Sequence, residues 1–181
     1  MANPKPVEML WSELERSRAD VLREVESLSQ RQADWKPGAN DWSIGEVVDH
    51  LTMAEIATGK LTTKLFKALP AGGAPELFPH DLTEFSPLPP WPSGPADAPE
   101  VVWPTAGKPI GELLGTMKAA RERSRQSVER LGQCDPRALR FSHFRLGDMD
   151  LAQWWRLQAE HDRIHARQIR EVKAAAGFPR D

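Results

Sequence analysis

The chain has one cysteine, Cys134, in 181 residues, which excludes an internal disulfide. No apolar run approaches the roughly 20 residues that cross a bilayer, so no membrane span and no membrane partner are expected. The first residues, Met1-Ala-Asn-Pro-Lys-Pro, lack the charged-then-apolar layout of a secretory signal. With the lone thiol, this leads us to expect a cytoplasmic protein. Neither sign of charge dominates: 24 Lys and Arg are interleaved with 26 Asp and Glu, for a net charge of −2. Such a surface offers no cationic field of the kind that holds phosphate backbones, and nucleic acid is not expected as a partner. Internal repeats and alternating strand patterns are also missing.

What the chain does have is helical spacing. With 181 residues, 40% hydrophobic and 28% charged, it suits a single domain, 1–181, around one contiguous core. Val7, Leu10, Trp11, Leu14, Val21, Leu22, Val25 and Leu28 recur at three- and four-residue intervals, which predicts a first amphipathic helix. Ser29 to Asn40 holds Pro37 and Gly38 and reads as a turn, with a short helical turn around Gln30 to Asp34. A second helix announces itself with Ser43 as N-cap and Glu46 three residues on to complete a capping box. Trp42 is placed to staple onto Val47, and the helix can run to about Leu69.

Ten of the sixteen prolines fall between Pro70 and Gly107. Each removes a backbone donor and disfavours helical geometry in its predecessor, so this stretch is a long crossover. Phe78, Phe85, Trp91 and Trp103 supply material to pack it down as an ordered wrap. A third helix opens with Pro109 at its first position, carries Ile110, Leu113, Leu114, Met117, Val128 and Leu131 on one side, and ends near Gly132. The fourth starts after Gly147 with Asp148 as the expected cap and runs through Leu151, Trp154, Leu157, Ile164, Ile169 and Val172 toward Gly177. The fold class is therefore all-α: a four-helix bundle with a long Pro-rich crossover between helices 2 and 3. That crossover frees the third helix from running antiparallel to the second.

Any chemistry sits in the histidines. His161 and His165 are four residues apart on the last helix, which places them on one face about 5 to 6 Å apart. Leu151, Trp154, Gln158, Gln168 and Val172 share that face, which turns both rings inward. His50 lies on the apolar side of the second helix, spaced with Val47, Ala54 and Ala57. Burying an unpaired polar ring costs on the order of 1 to 3 kcal/mol, and one shared metal ion would compensate all three. Three imidazoles suit zinc, nickel, copper or iron, and leave a position open for water or substrate. The bland reading stands beside this one: the pair can be partly exposed and bonded to Glu160 or Asp162, with His50 a core residue held by a backbone carbonyl.

Other polar residues receive lesser roles. Glu46, one turn before His50, is read as a capping residue rather than a ligand. Asp49 and Asp162 adjoin histidines in sequence, but neighbouring helix positions are about 100° apart, so they are expected to face solvent or another helix. Gln158 and Gln168 are candidates to support the histidine face. His80 and His143 read as loop histidines, and the Arg121 to Arg130 cluster as a solvated face balanced by Glu122 and Glu129. Cys134 follows the third helix as a surface or half-buried thiol, not a nucleophile.

Two segments carry a family resemblance: Trp42-Ser-Ile-Gly-Glu-Val-Val-Asp-His50-Leu and Glu160-His161-Asp-Arg-Ile-His165-Ala-Arg-Gln168. With Trp35-Lys-Pro and Phe141-Ser-His-Phe-Arg-Leu-Gly147, they make the chain similar to the DinB-like (YfiT-related) superfamily of metalloenzymes. Family members often have proline where Phe144 stands. The resemblance implies a four-helix bundle, a divalent metal held by His50, His161 and His165, and a homodimer. Zinc or nickel is expected at such a site, with iron or manganese as further possibilities. Some relatives are similar to thiol S-transferases that join a low-molecular-weight thiol to an electrophile. Others resemble metal-dependent hydrolases or maleylpyruvate isomerases. Transferase, hydrolase and non-catalytic metal-binding bundle all stay open, since one scaffold hosts many reactions; the transferase, with a small-molecule thiol as partner, is preferred.

Overall fold

Five helices and one short hairpin make up the computed structural model, which describes residues 3–69, 77–94 and 98–180. Helix α1 (Lys5–Val25) carries Pro6 in its first turn, where a missing N–H costs nothing, and buries Val7, Leu10, Leu14, Val21 and Val25. The short α2 (Gln30–Asp34) is closed by a Ser29–Gln32 capping box. Helix α3 (Ile44–Lys67) starts on the expected box: the Glu46 N–H donates to Ser43 Oγ at 3.2 Å and the Ser43 N–H to Glu46 Oε2 at 2.7 Å. Trp42 packs against the cluster that contains Val47. Helix α4 (Ile110–Glu129) has Pro109 in the cap position, one residue before the expected place, and tightens into a 3₁₀ turn over Arg130–Gln133.

The start of α5 (Leu151–Ala174) departs from expectation. Strands β1 (Arg140–His143) and β2 (Gly147–Asp150) pair antiparallel, and with only four residues each they are too short to show an alternating pattern. Gly147, at φ +71°, makes the turn back possible. Helix α5 is capped by Asp150, not Asp148: the Asp150 carboxylate accepts from the Gln153 N–H at 2.8 Å. Asp148 instead accepts from Arg140 Nε across the hairpin at 2.6 Å.

Side-chain pairs give the helix directions. Glu13 meets Arg163, Arg18 meets Asp162 and Glu24 meets Lys173, so α1 and α5 run parallel. Helices α3 and α4 are parallel too, with Gly45 beside Leu113, Glu55 beside Arg121 and Gly59 beside Ser127. Only a long connection permits that, and the Pro-rich crossover is that connection. Between α3 and α5, Gln158 Nε2 donates to Thr58 Oγ1 and Trp155 Nε1 to Thr62 Oγ1, each at 3.0 Å, which makes this pair antiparallel.

Among its described residues the crossover has no strand pairing and one 3₁₀ turn, Glu100–Val102, so side chains take several of its carbonyls. Arg156 Nη1 donates to the carbonyls of Phe85 and Ser86, Gln153 Nε2 to Pro87, and Arg145 Nη2 to Pro92 and Gly94. Phe85 is buried and Phe78 packs on the core, whereas Trp91 and Trp103 are 43% and 54% exposed; two of the four expected anchors thus sink in. Pro70, Pro75 and Pro95 lie outside the described residues. Among the described residues, no helix is long and apolar enough to cross a membrane.

Apolar clusters fill the two ends of the bundle, one around Leu10, Leu14 and Trp155, the other around Val21, Val47 and Ile169. Between them lies a buried ionic network to which every long helix contributes. Arg18 Nη2 reaches Glu55 Oε2 at 2.8 Å and Asp162 Oδ1 at 2.9 Å; Arg121 reaches Glu55 Oε1 at 2.7 Å and Asp162 Oδ2 at 3.1 Å. Arg121 also donates to the Leu14 carbonyl. Arg121 is therefore a core residue, not part of a solvated face, because two buried carboxylates need its charge; Arg125 and Glu129 do form the expected exposed pair.

Candidate metal centre

The α3–α5 register decides which histidines meet. With Thr62 opposite Trp155 and Thr58 opposite Gln158, moving back along α3 to His50 means moving forward along α5 to His161 and His165. The Nε2 atom of His161 lies 3.0 Å from Nε2 of His50 and 3.0 Å from Nε2 of His165. His50 is buried, and the other two are half-buried. One tetrahedral ion with Zn–N bonds of about 2.0 to 2.1 Å asks for nitrogens about 3.3 Å apart, close to what the three rings present.

The outer nitrogens are already committed. His50 Nδ1–H donates to the Val102 carbonyl at 2.8 Å, and His165 Nδ1–H donates to Gln168 Oε1 at 2.6 Å. In the neutral rings this leaves both Nε2 atoms as bare lone pairs aimed inward. A proton on His161 Nε2 cannot satisfy both fully, whereas a cation at the common focus accepts all three. Burial, with weaker opposing help from Val102 and Asp49, lowers the pKa of His50. Burial and the neighbouring His165 and His50 push His161 far below the ordinary histidine range. Burial, then His50, brings His165 to about 4. All three rings are neutral at pH 7, the state a ligand requires. The residues therefore fit a divalent ion.

The family model of the DinB superfamily matches residues 13–169, a span that holds all three histidines. The chain belongs to the DinB superfamily. No curated protein matches it.

Within this DinB bundle the remaining candidates sort by contact. Gln168 supports His165, as expected, but Gln158 bonds Thr58 instead. Glu46 is occupied by its capping box and by Lys36 at 2.8 Å. Asp49 turns to the end of the crossover, accepting from the Thr105 N–H and from Lys108 Nζ. Asp162 points to the ionic network, and His80 lies exposed outside the cluster. Cys134 is 1% exposed, so the surface or half-buried thiol is corrected to a fully buried one, packed among Leu10, Leu131 and Trp155. Sequence reasoning missed Val102, whose carbonyl orients His50, since a backbone acceptor has no residue signature. It also missed the Trp103 ring, set edge-on to Trp42, which in turn stands 4.9 Å from His50.

Proposed function

We propose that the chain is a metal-dependent thiol S-transferase, with His50, His161 and His165 holding one divalent ion, zinc or nickel by the nature of the donors. What carries this reading is the convergence of three neutral Nε2 donors with no fourth His, Cys, Asp or Glu beside them among the described residues. Three protein ligands are the arrangement of open rather than closed sites. When bound, the ion supplies Lewis acidity that lowers the pKa of a thiol at the centre. The chain does the rest. Val102 and Gln168 fix two rings in the ligating tautomer, and Trp42 packs against the His50 ring. Cys134 does not serve as the thiol, because burial and then Asp135 raise its pKa and it is shut away; the thiol is a separate small molecule. The sulfur–carbon bond forms as the bond to the leaving group breaks. The leaving group departs with the electron pair, and the thiol proton goes to solvent. The homodimer belongs to the same proposal and is tested by sedimentation.

The experiment incubates zinc- or nickel-loaded protein with a small thiol and a halogenated aromatic electrophile. A thioether is expected by mass spectrometry, absent after chelation and absent in a His161→Ala, His165→Ala variant. Stoichiometric metal without any adduct refutes the transferase. Turnover of an ester or amide panel without thiol would assign the centre to hydrolysis.

A further inference from the structure

Two successive residues of α3 grip the same stretch of the crossover. His50 Nδ1–H donates to the Val102 carbonyl at 2.8 Å. Asp49, one position earlier and only 5% exposed, accepts from the Thr105 N–H at 2.9 Å and from Lys108 Nζ at 2.8 Å on each carboxylate oxygen. Neighbouring helix positions point about 100° apart, so the two side chains reach the segment at different points. Val102 ends the 3₁₀ turn Glu100–Val102, and Asp49 ties the chain back onto α3 just beyond it. Trp103, Thr105, Ala106 and Gly107 are exposed. Little apolar burial therefore holds this stretch, and its backbone would open readily if its polar anchors were removed. Without an acceptor held at Nδ1, a neutral His50 ring is free to carry its proton on Nε2, where it blocks ligation.

We infer that Asp49 is a positioning residue for the metal centre. By holding Thr105 and Lys108 it sets the Val102 carbonyl, and that carbonyl keeps the Nε2 lone pair of His50 free toward His161 and His165. The role rests on the metal reading above, because the tautomer of His50 has this use only if His50 is a ligand. Linkage makes the effect reciprocal: a clasp that favours the metal is tightened by the metal by the same factor.

Zinc affinity, measured by competition with a chromophoric chelator, tests this in the wild type, Asp49→Ala and Asp49→Asn. Asp49→Ala should bind zinc about tenfold more weakly, the lower end of what groups that orient a metal ligand contribute. Asp49→Asn, whose Oδ1 still accepts from the Thr105 N–H, should recover most of the loss. Long-range ¹H–¹⁵N spectra of metal-free protein should show His50 protonated on Nδ1 in the wild type and in Asp49→Asn, and mixed with the Nε2–H tautomer in Asp49→Ala. Unchanged affinity in Asp49→Ala, or weaker binding with the His50 tautomer unmoved, overturns the role and leaves the centre standing. If the wild type itself binds no zinc, the metal reading fails and this role falls with it. Should Asp49→Ala not fold, hydrogen exchange in the wild type decides. Zinc should slow the Thr105 amide about tenfold, while the Leu82 amide, bonded to the Pro79 carbonyl elsewhere in the crossover, keeps its rate. An unchanged rate at Thr105 overturns the role.

Discussion

Asp162→Asn is the sharpest test of how this bundle is held. The Asp162 carboxylate accepts from Arg18 Nη2 at 2.9 Å, Arg18 Nε at 3.2 Å, Arg121 Nη2 at 3.1 Å and Ser17 Oγ at 3.1 Å. It shares the two guanidiniums with Glu55, whose pKa burial tends to raise but the two arginines bring down overall. The four groups sum to zero charge. Asparagine keeps the shape, removes one negative charge and turns an amide donor toward guanidinium donors, leaving a buried positive charge uncompensated. Breaking one partner from such a network costs about 3 to 5 kcal/mol. For 181 residues, an unfolding entropy of about 0.4 kcal/mol/K converts this to a Tm lower by about 8 to 12 °C. Thermal denaturation of metal-free protein followed by circular dichroism measures it. A paired Arg18→Met, Asp162→Leu variant leaves Arg121 and Glu55 as a neutral pair and should cost less than Asp162→Asn alone. A Tm shift below about 2 °C for Asp162→Asn, or a double variant worse than the single one, would refute the compensated network.

Two further outcomes follow from the histidines. After reconstitution with zinc and desalting, wild-type protein should retain near-stoichiometric metal and the His161→Ala, His165→Ala variant little; Gln168→Ala should weaken zinc binding by about 10- to 100-fold, while Gln158→Ala leaves it unchanged, and equal metal in all four sinks the centre. Metal-free protein should lose stability as pH falls, because His165 has a pKa of about 4 when folded against about 6.5 when unfolded. The unfolded chain then binds more protons between these values, so the loss begins near pH 6.5 and levels off below pH 4. His165 contributes about 3 kcal/mol, His50 and His161 add with the same sign, and urea melts at pH 7 and pH 5 that coincide would contradict it.

The long helices and the Ser43–Glu46 capping box were legible because their causes are local. Ser43 and Glu46, or Val7, Leu10 and Leu14, act over one or two turns, and their spacing is printed in the chain. The His161–His165 pair was legible for the same reason. The cap at Asp150 was misread as Asp148, although Asp150 has Gln153 three residues on, a capping-box spacing that Asp148, three residues before Leu151, lacks. The β1–β2 hairpin, in which Asp148 pairs with Arg140, is what the sequence reading did not foresee. Arg121 was misjudged because its neighbours Glu122, Arg123 and Arg125 are solvent-facing types. Its burial depends on Glu55 and Asp162, which are distant in sequence.

By itself, then, the sequence determined the amphipathic helices, the Pro-rich break that forbids a fifth long one between α3 and α4, and the family. The tertiary structure alone decided that α3 runs antiparallel to α5 in a register that sets His50 against His161 and His165. It also decided that the Val102 carbonyl, fifty-two residues beyond His50, fixes that ring's tautomer. Helix periodicity is a one-dimensional property of the chain. The register between helices is set by how Thr58, Thr62, Gln158 and Trp155 pair and how four buried charges neutralise one another, and those partners meet only once the chain has folded.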